Sequence, residues 1–274
     1  RGHWDASTAD LNRALELDPR NLFLLQQLSI TYDIQRRYGD MAAILDRALA
    51  LAPADANTRA ERALLDLHAR ADTKPLHTTI AALLAADPAG ARHFADTWLS
   101  LALCERDHVA VARALTAIPA EGITIGSTWF PRTWCEAIAA RARNDNESAR
   151  AAFNAARSEV EKTLRDQPEY AQGLSVLAMI DAGLGNKQAA IDEGRRAAEL
   201  LPLSKDTLDG ADMLTNLALV YVWTGEKDLA FKQLEALMRV PAQLNYGELR
   251  LHPYWDPLRG DPRFEKLLAS FALK

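Results

Sequence analysis

The chain has 274 residues, 49% of them hydrophobic and 25% charged, with a formal net charge of −5. That composition belongs to a soluble globular protein and excludes disordered, collagen-like and disulfide-scaffold classes. No apolar run approaches the roughly 20 residues of a spanning helix, so membrane insertion by this segment is not expected, and the mild acidity argues against nucleic acid as a partner.

The sequence begins at Arg1, without an initiator Met or an apolar leader, and reads as an excised part of a longer protein. Residues 4–17 form an amphipathic helix that closes before Pro19. From Leu22 the apolar positions Leu25, Leu28 and Tyr32, then Met41, Leu45, Ala48 and Leu49, recur at spacings of three and four, so two helices fill the stretch up to Pro53. The phrases ALELDP, ALALAP, LLAADP and AAELLP end such stretches at Pro19, Pro53, Pro88 and Pro202. Proline cannot continue a helix, so each closes one. With Pro119, Pro168 and Pro241, the intervals between these prolines are 34, 35, 31, 49, 34 and 39 residues. Within the intervals, polar or Gly-containing breaks at 36–40, 142–148, 183–187 and 223–228 read as tight turns between helices, where Gly suits a left-handed helix end and Asp, Asn or Ser caps the next helix. No sustained apolar–polar alternation flanked by hairpin turns is found, so no strands are expected. The pattern is helix, turn, helix, repeated.

These residues resemble the tetratricopeptide repeat. One unit carries its signature as Leu174, Leu177, Ala178, Gly185, Ala190, Ala197 and Pro202, departing from it at Asp181 and Gly194. Another carries Leu214, Leu217, Ala218, Tyr221, Gly225, Ala230, Leu234 and Leu237, and a third Leu25, Leu28, Ser29, Tyr32, Leu45, Ala48 and Pro53. The units closing at Pro88, Pro119 and Pro168 are degenerate, the last with an insertion around residues 121–127. The resemblance implies an all-α fold, a right-handed α-solenoid of helix-turn-helix repeats. A half repeat spans 1–19, and about six helix pairs close near 53, 88, 119, 168, 202 and 241. Small residues such as Ala178, Ala190, Ala197, Ala218 and Ala230 fall where helices approach most closely. Residues 242–274 break the period: Pro253, Tyr254, Trp255, Pro257, Pro262 and Phe264 suit an irregular aromatic segment, with a short helix from about Asp261, that caps the last repeat. The same tail resembles the closing segment of bacterial multidomain signalling proteins.

No chemistry stands out. The 6 histidines are scattered singly, without metal-ligand spacing, so no metal is expected, and no glycine-rich phosphate loop or nucleophile elbow is present. Cys104 and Cys135 read as small buried hydrophobes. Arginines at 36–37, 141, 143 and 195–196 sit near helix ends, where cations complement the helix dipole. The expectation is no enzyme and no cofactor. An enzyme with chemistry in the 121–132 insertion, which holds Thr124, Ser127 and Thr128 without a paired base, is the remote alternative.

The resemblance implies that the concave face holds a peptide or protein segment. Its groove positions carry onto Phe23, Gln26 and Ile30; onto Asn57, Ala60, Leu64 and His68; onto Arg92 and Leu99. The later units supply Trp134, Ile138 and Arg141; Gln172, Ser175 and Met179; and Asp212, Thr215, Leu219 and Trp223. Gln26 and Ile30 stand where the family's carboxylate clamp has Lys and Asn, so capture of a C-terminal carboxylate is not expected. For Trp134, Met179 and Trp223, packing between helices competes with a binding role. The leading reading is a non-catalytic protein-interaction scaffold, the C-terminal part of a larger bacterial signalling or regulatory protein. Self-association into a homo-oligomer is the alternative. The expected location is the cytoplasm, or the periplasm if a membrane span lies upstream.

Overall fold

A computed structural model describes residues 2–272. Helix α1 (Trp4–Leu17) stands alone, as the proline spacing requires, and antiparallel pairs follow it. These are α2 (Leu22–Ile34) with α3 (Tyr38–Leu51), α4 (Ala56–Arg70) with α5 (Lys74–Ala86), and α6 (Ala95–Glu105) with α7 (His108–Ala117). Then come α8 (Arg132–Ala142) with α9 (Asn146–Asp166), α10 (Ala171–Leu184) with α11 (Lys187–Leu200), and α12 (Asp209–Trp223) with α13 (Lys227–Leu237). Two short helices, α14 (Tyr246–Leu251) and α15 (Pro262–Ala272), flank a 3-10 turn at Pro253–Leu258. The starts are set locally: Asn21, Asp55, Asp107 and Asp145 each accept a backbone N–H of the first turn through the side chain.

Stacking is tight because the close-approach positions are small. Ala178, Ala190, Ala197, Ala218 and Ala230 are fully buried. Gly194, a departure from the repeat signature, has a packing reason: a Cβ there would stand 3.0 Å from Leu217 Cδ1 and 3.5 Å from Ala178 Cβ. Asp181, the other departure, is completely buried and accepts Arg157 Nε at 2.9 Å and Asn186 Nδ2 at 2.8 Å, which ties α9, α10 and the following turn together.

Two expectations are corrected. The 121–132 insertion contains a short antiparallel hairpin, β1 (Ile123–Ile125) paired with β2 (Thr128–Phe130). Three residues per strand are too few for alternation to register, but the two-residue turn opens on Gly126 at φ 60, which suits such a connection. The second correction concerns the turn at 36–40, where Arg36, and not Gly39, takes the left-handed backbone, while Gly39 lies inside α3. Arg106 and Asn144 do the same at the ends of α6 and α8, where Gly185 and Gly225 serve after α10 and α12.

Candidate functional site

The inner helices α2, α4, α6, α8, α10 and α12 carry the groove positions, and the C-terminal segment lies across them rather than on the last repeat alone. The backbone N–H of Ala242 donates to the Ile34 carbonyl at 3.1 Å. Arg36 spreads its guanidinium over three carbonyls, those of Leu244 at 3.1 Å and of Val240 and Leu237 at 3.2 Å. Helix α14 then crosses α4 so closely that a Cβ on Gly247 would fall 1.7 Å from the Leu67 carbonyl oxygen. Farther on, Arg106 grips Asp256 through both carboxylate oxygens at 2.7 Å and also donates to the Leu251 carbonyl. Trp223 Nε1 donates to the Tyr254 carbonyl at 3.0 Å, and the Trp223 and Tyr254 rings meet edge-on at 5.6 Å. Leu244, Leu249, Trp255 and Leu258 from this segment are buried in the main hydrophobic core. Each is worth roughly 1.5–3 kcal/mol of apolar burial, so the segment is part of the fold.

A charged knot sits beneath α14. His68 Nδ1 donates to Asp33 Oδ1 at 3.1 Å, and Glu248 lies close enough for its charge to act on both. Burial opposes the imidazolium, but the charge and hydrogen bond of Asp33, with Glu248 behind them, outweigh it and raise the His68 pKa. Burial likewise raises Glu248, against the pull of His68.

Most of the sequence-derived groove residues are covered: His68, Trp134, Ile138, Met179 and Leu219 are buried, and Arg141 stacks over Trp223 at 4.3 Å. Trp134 packs on Phe130, Phe153 and Trp223, so the aromatic pair is a floor for the tail rather than an exposed hot spot. Ala60, Leu99 and Ser175 are buried too, and Thr215 turns its hydroxyl to the Ala211 carbonyl. The hairpin covers the start of α10, where Gln172 donates to Ser127 Oγ and to Asp209. Arg92 is exposed, but on a 3-10 turn. What stays open lies on α2 and α4. Phe23 is 64% and Ile30 41% exposed, Gln26 reaches Thr58 Oγ1 at 3.2 Å, Asn57 is exposed and Leu64 half-buried. Sequence reasoning missed Arg36 and Arg106 as grips; their one signal is an Arg at the place where stronger repeats have the turn Gly.

Both cysteine thiols are buried, and burial raises their pKa values, that of Cys135 to about 12. Among the described residues no three His, Cys, Asp or Glu side chains are placed to hold a metal ion, and no helix is long and apolar enough to cross a membrane.

No protein-family model matches the chain, and no curated protein matches it in sequence. Solved structures do match. A tetratricopeptide repeat protein from Parabacteroides merdae aligns with 100% of this chain and 93% of its own, at 13% identity and a TM-score of 0.52. A tetratricopeptide repeat protein of Thermus thermophilus aligns at 18% identity and a TM-score of 0.33, over 92% of this chain and 100% of its own. The Cut9–Hcn1 hetero-tetramer of the APC/C aligns at 15% identity and a TM-score of 0.40, over 98% of this chain and 59% of its own. The likeness to the first concerns the fold: the chain is an all-α repeat solenoid resembling tetratricopeptide repeat proteins.

Proposed function

We propose that this chain is a non-catalytic scaffold that holds a segment of another protein on its concave face, as part of a larger bacterial signalling or regulatory protein in the cytoplasm. One observation carries the reading: the inner helices already hold a chain segment, their own residues 242–258, through side chains that bind its main-chain carbonyls at Leu244, Leu251 and Tyr254 and through burial of Leu244, Leu249, Trp255 and Leu258. The carbonyl contacts hold main chain and the buried side chains fill pockets, the same division of labour used in peptide recognition. The own segment covers the ends of α2 and α4 around Ile34 and Leu67, which leaves Phe23, Ile30, Asn57 and Leu64 for a partner. The buried, high-pKa thiols support a non-catalytic role, because a thiol nucleophile reacts as thiolate.

Cross-linking mass spectrometry on the protein in its source cells tests this. Cross-links from other proteins should concentrate around residues 22–31 and 56–65. Partner cross-links confined to the outer helices α3, α5 and α7 would contradict it. Self-association is supported by Leu17, 85% exposed at the end of α1, and is separated by a mass that rises with concentration in light scattering.

A further inference from the structure

We infer that the open mouth over α2 and α4 takes a lysine- or arginine-bearing amphipathic segment, whose apolar side chains meet Phe23 and Ile30 and whose cations meet Glu61 and Asp212. This rests on the scaffold reading and specifies its partner.

The apolar half of the argument is geometric. Phe23 and Ile30 lie seven residues apart, two turns on one face of α2, and are among the few large hydrophobic side chains left exposed. An exposed stripe of that spacing, with Leu64 half-buried on the neighbouring helix, fits the anchors of a docked helix or turn.

The charge half comes from which carboxyls lack a cation. Asp55 and Asp206 are accounted for as caps, since they accept backbone N–H groups of Thr58 and of Leu208 and Asp209. Glu61 and Asp212 are not caps: both stand inside their helices and, among the described residues, enter no ion pair, and the Ser29 hydroxyl lies 3.4 Å from Glu61. Asp212 stands beside the hairpin turn, where a Cβ on Gly126 would lie 3.3 Å from Asp212 Oδ2 and 3.8 Å from Gln243 Nε2. Gln243 follows Ala242, the residue bonded to Ile34 one turn beyond Ile30. Burial raises both carboxyls to about 7. For Glu61 the Ser29 hydrogen bond opposes the rise and Asp33 and Asp55 add to it; for Asp212 it is Asp209 and Asp206 that add to it. Half-desolvated carboxyls without a counter-ion are an incomplete electrostatic arrangement, and a partner's cation completes it.

The test uses the full chain and two labelled helix-forming peptides, about 15 residues long, with leucine at heptad spacing and either lysine or glutamate at every other site. Fluorescence anisotropy should show saturable binding of the lysine peptide and binding about tenfold weaker or worse for the glutamate peptide. Glu61→Gln with Asp212→Asn, checked for an unchanged melting curve, should weaken the lysine peptide about tenfold, whereas Asp46→Asn on the outer helix α3 should not. Equal binding of the two peptides, no saturable binding, or an undiminished affinity in the double variant would overturn the inference. If it falls while partner cross-links still map to α2 and α4, the scaffold reading stands and only the partner's chemistry is wrong.

Discussion

Arg36 and Arg106 occupy the same position in their repeats, just past an inner helix. Both hold the left-handed backbone, at φ 57 and φ 59, while their guanidiniums bind carbonyls between the end of α13 and the end of α14, Arg36 those of Leu237, Val240 and Leu244 and Arg106 that of Leu251. The turn around them is the one Gly185 and Gly225 make: the residue's N–H returns to the carbonyl three back, and the next N–H to the carbonyl five back. A non-glycine residue in this conformation costs about 1 kcal/mol, and the grip on the tail offsets it. Arg36→Gly should therefore destabilise the protein by about 1–3 kcal/mol despite relieving the backbone. Ala71, also left-handed at φ 57, carries no such grip, and Ala71→Gly should stabilise by about 0.5–1 kcal/mol. Urea denaturation of the two variants reads the opposite signs; a stabilising Arg36→Gly would mean that the grip contributes nothing.

Gly247→Ala tests the close crossing of α14 over α4. With the new methyl 1.7 Å from the Leu67 carbonyl oxygen, the helices must separate, at a cost of about 3 kcal/mol or more. A thermal melt unchanged by this substitution would show that the crossing is not made.

A pH dependence arises between α10 and α11. Asp181 Oδ2 and Glu193 Oε2 are both buried and unpartnered if both groups are ionised. Burial, then the adjacent Asp181, push Glu193 up to about 8, so it is protonated at neutral pH and donates to Asp181. A carboxyl whose folded pKa is raised binds a proton that the unfolded chain releases near its ordinary value of about 4.5. Stability from this group is thus full below that value and falls as pH rises toward 8. Arg157 and Glu161 on α9 face the same pair. Glu193→Gln should flatten this part of the fall in melting temperature between pH 5 and 9; parallel curves for the variant and the parent would refute the shared proton.

The two thiols should be silent to an aromatic disulfide reagent at neutral pH until the chain unfolds, because both are buried with raised pKa values. Rapid native labelling of Cys135 would show that α8 is open to solvent.

Much of the fold was legible because it rests on period. The prolines at 19, 53, 88, 119, 168, 202 and 241 each fall within four residues after a helix end, and α1 spans the residues 4–17 expected of it. The groove was legible as a set of positions but not as a surface, since the tail that lies beside His68 and Trp223 is far away in sequence and no periodicity records its path. The left-handed arginines were hidden for a related reason: their conformation is tolerated only because of partners some 150 to 200 residues later. The hairpin escaped because its strands are shorter than the window in which alternation can be recognised.

Hydrogen–deuterium exchange on the full chain, alone and with the lysine–leucine peptide, tests the central claim most directly. Residues 242–258 should already be protected in the free chain, and the peptide should add protection at 22–31 and 56–65 while leaving the segment unchanged. Rapid exchange of 242–258 in the free chain, or its exposure when the peptide binds, would contradict a groove filled from within and open only at its mouth.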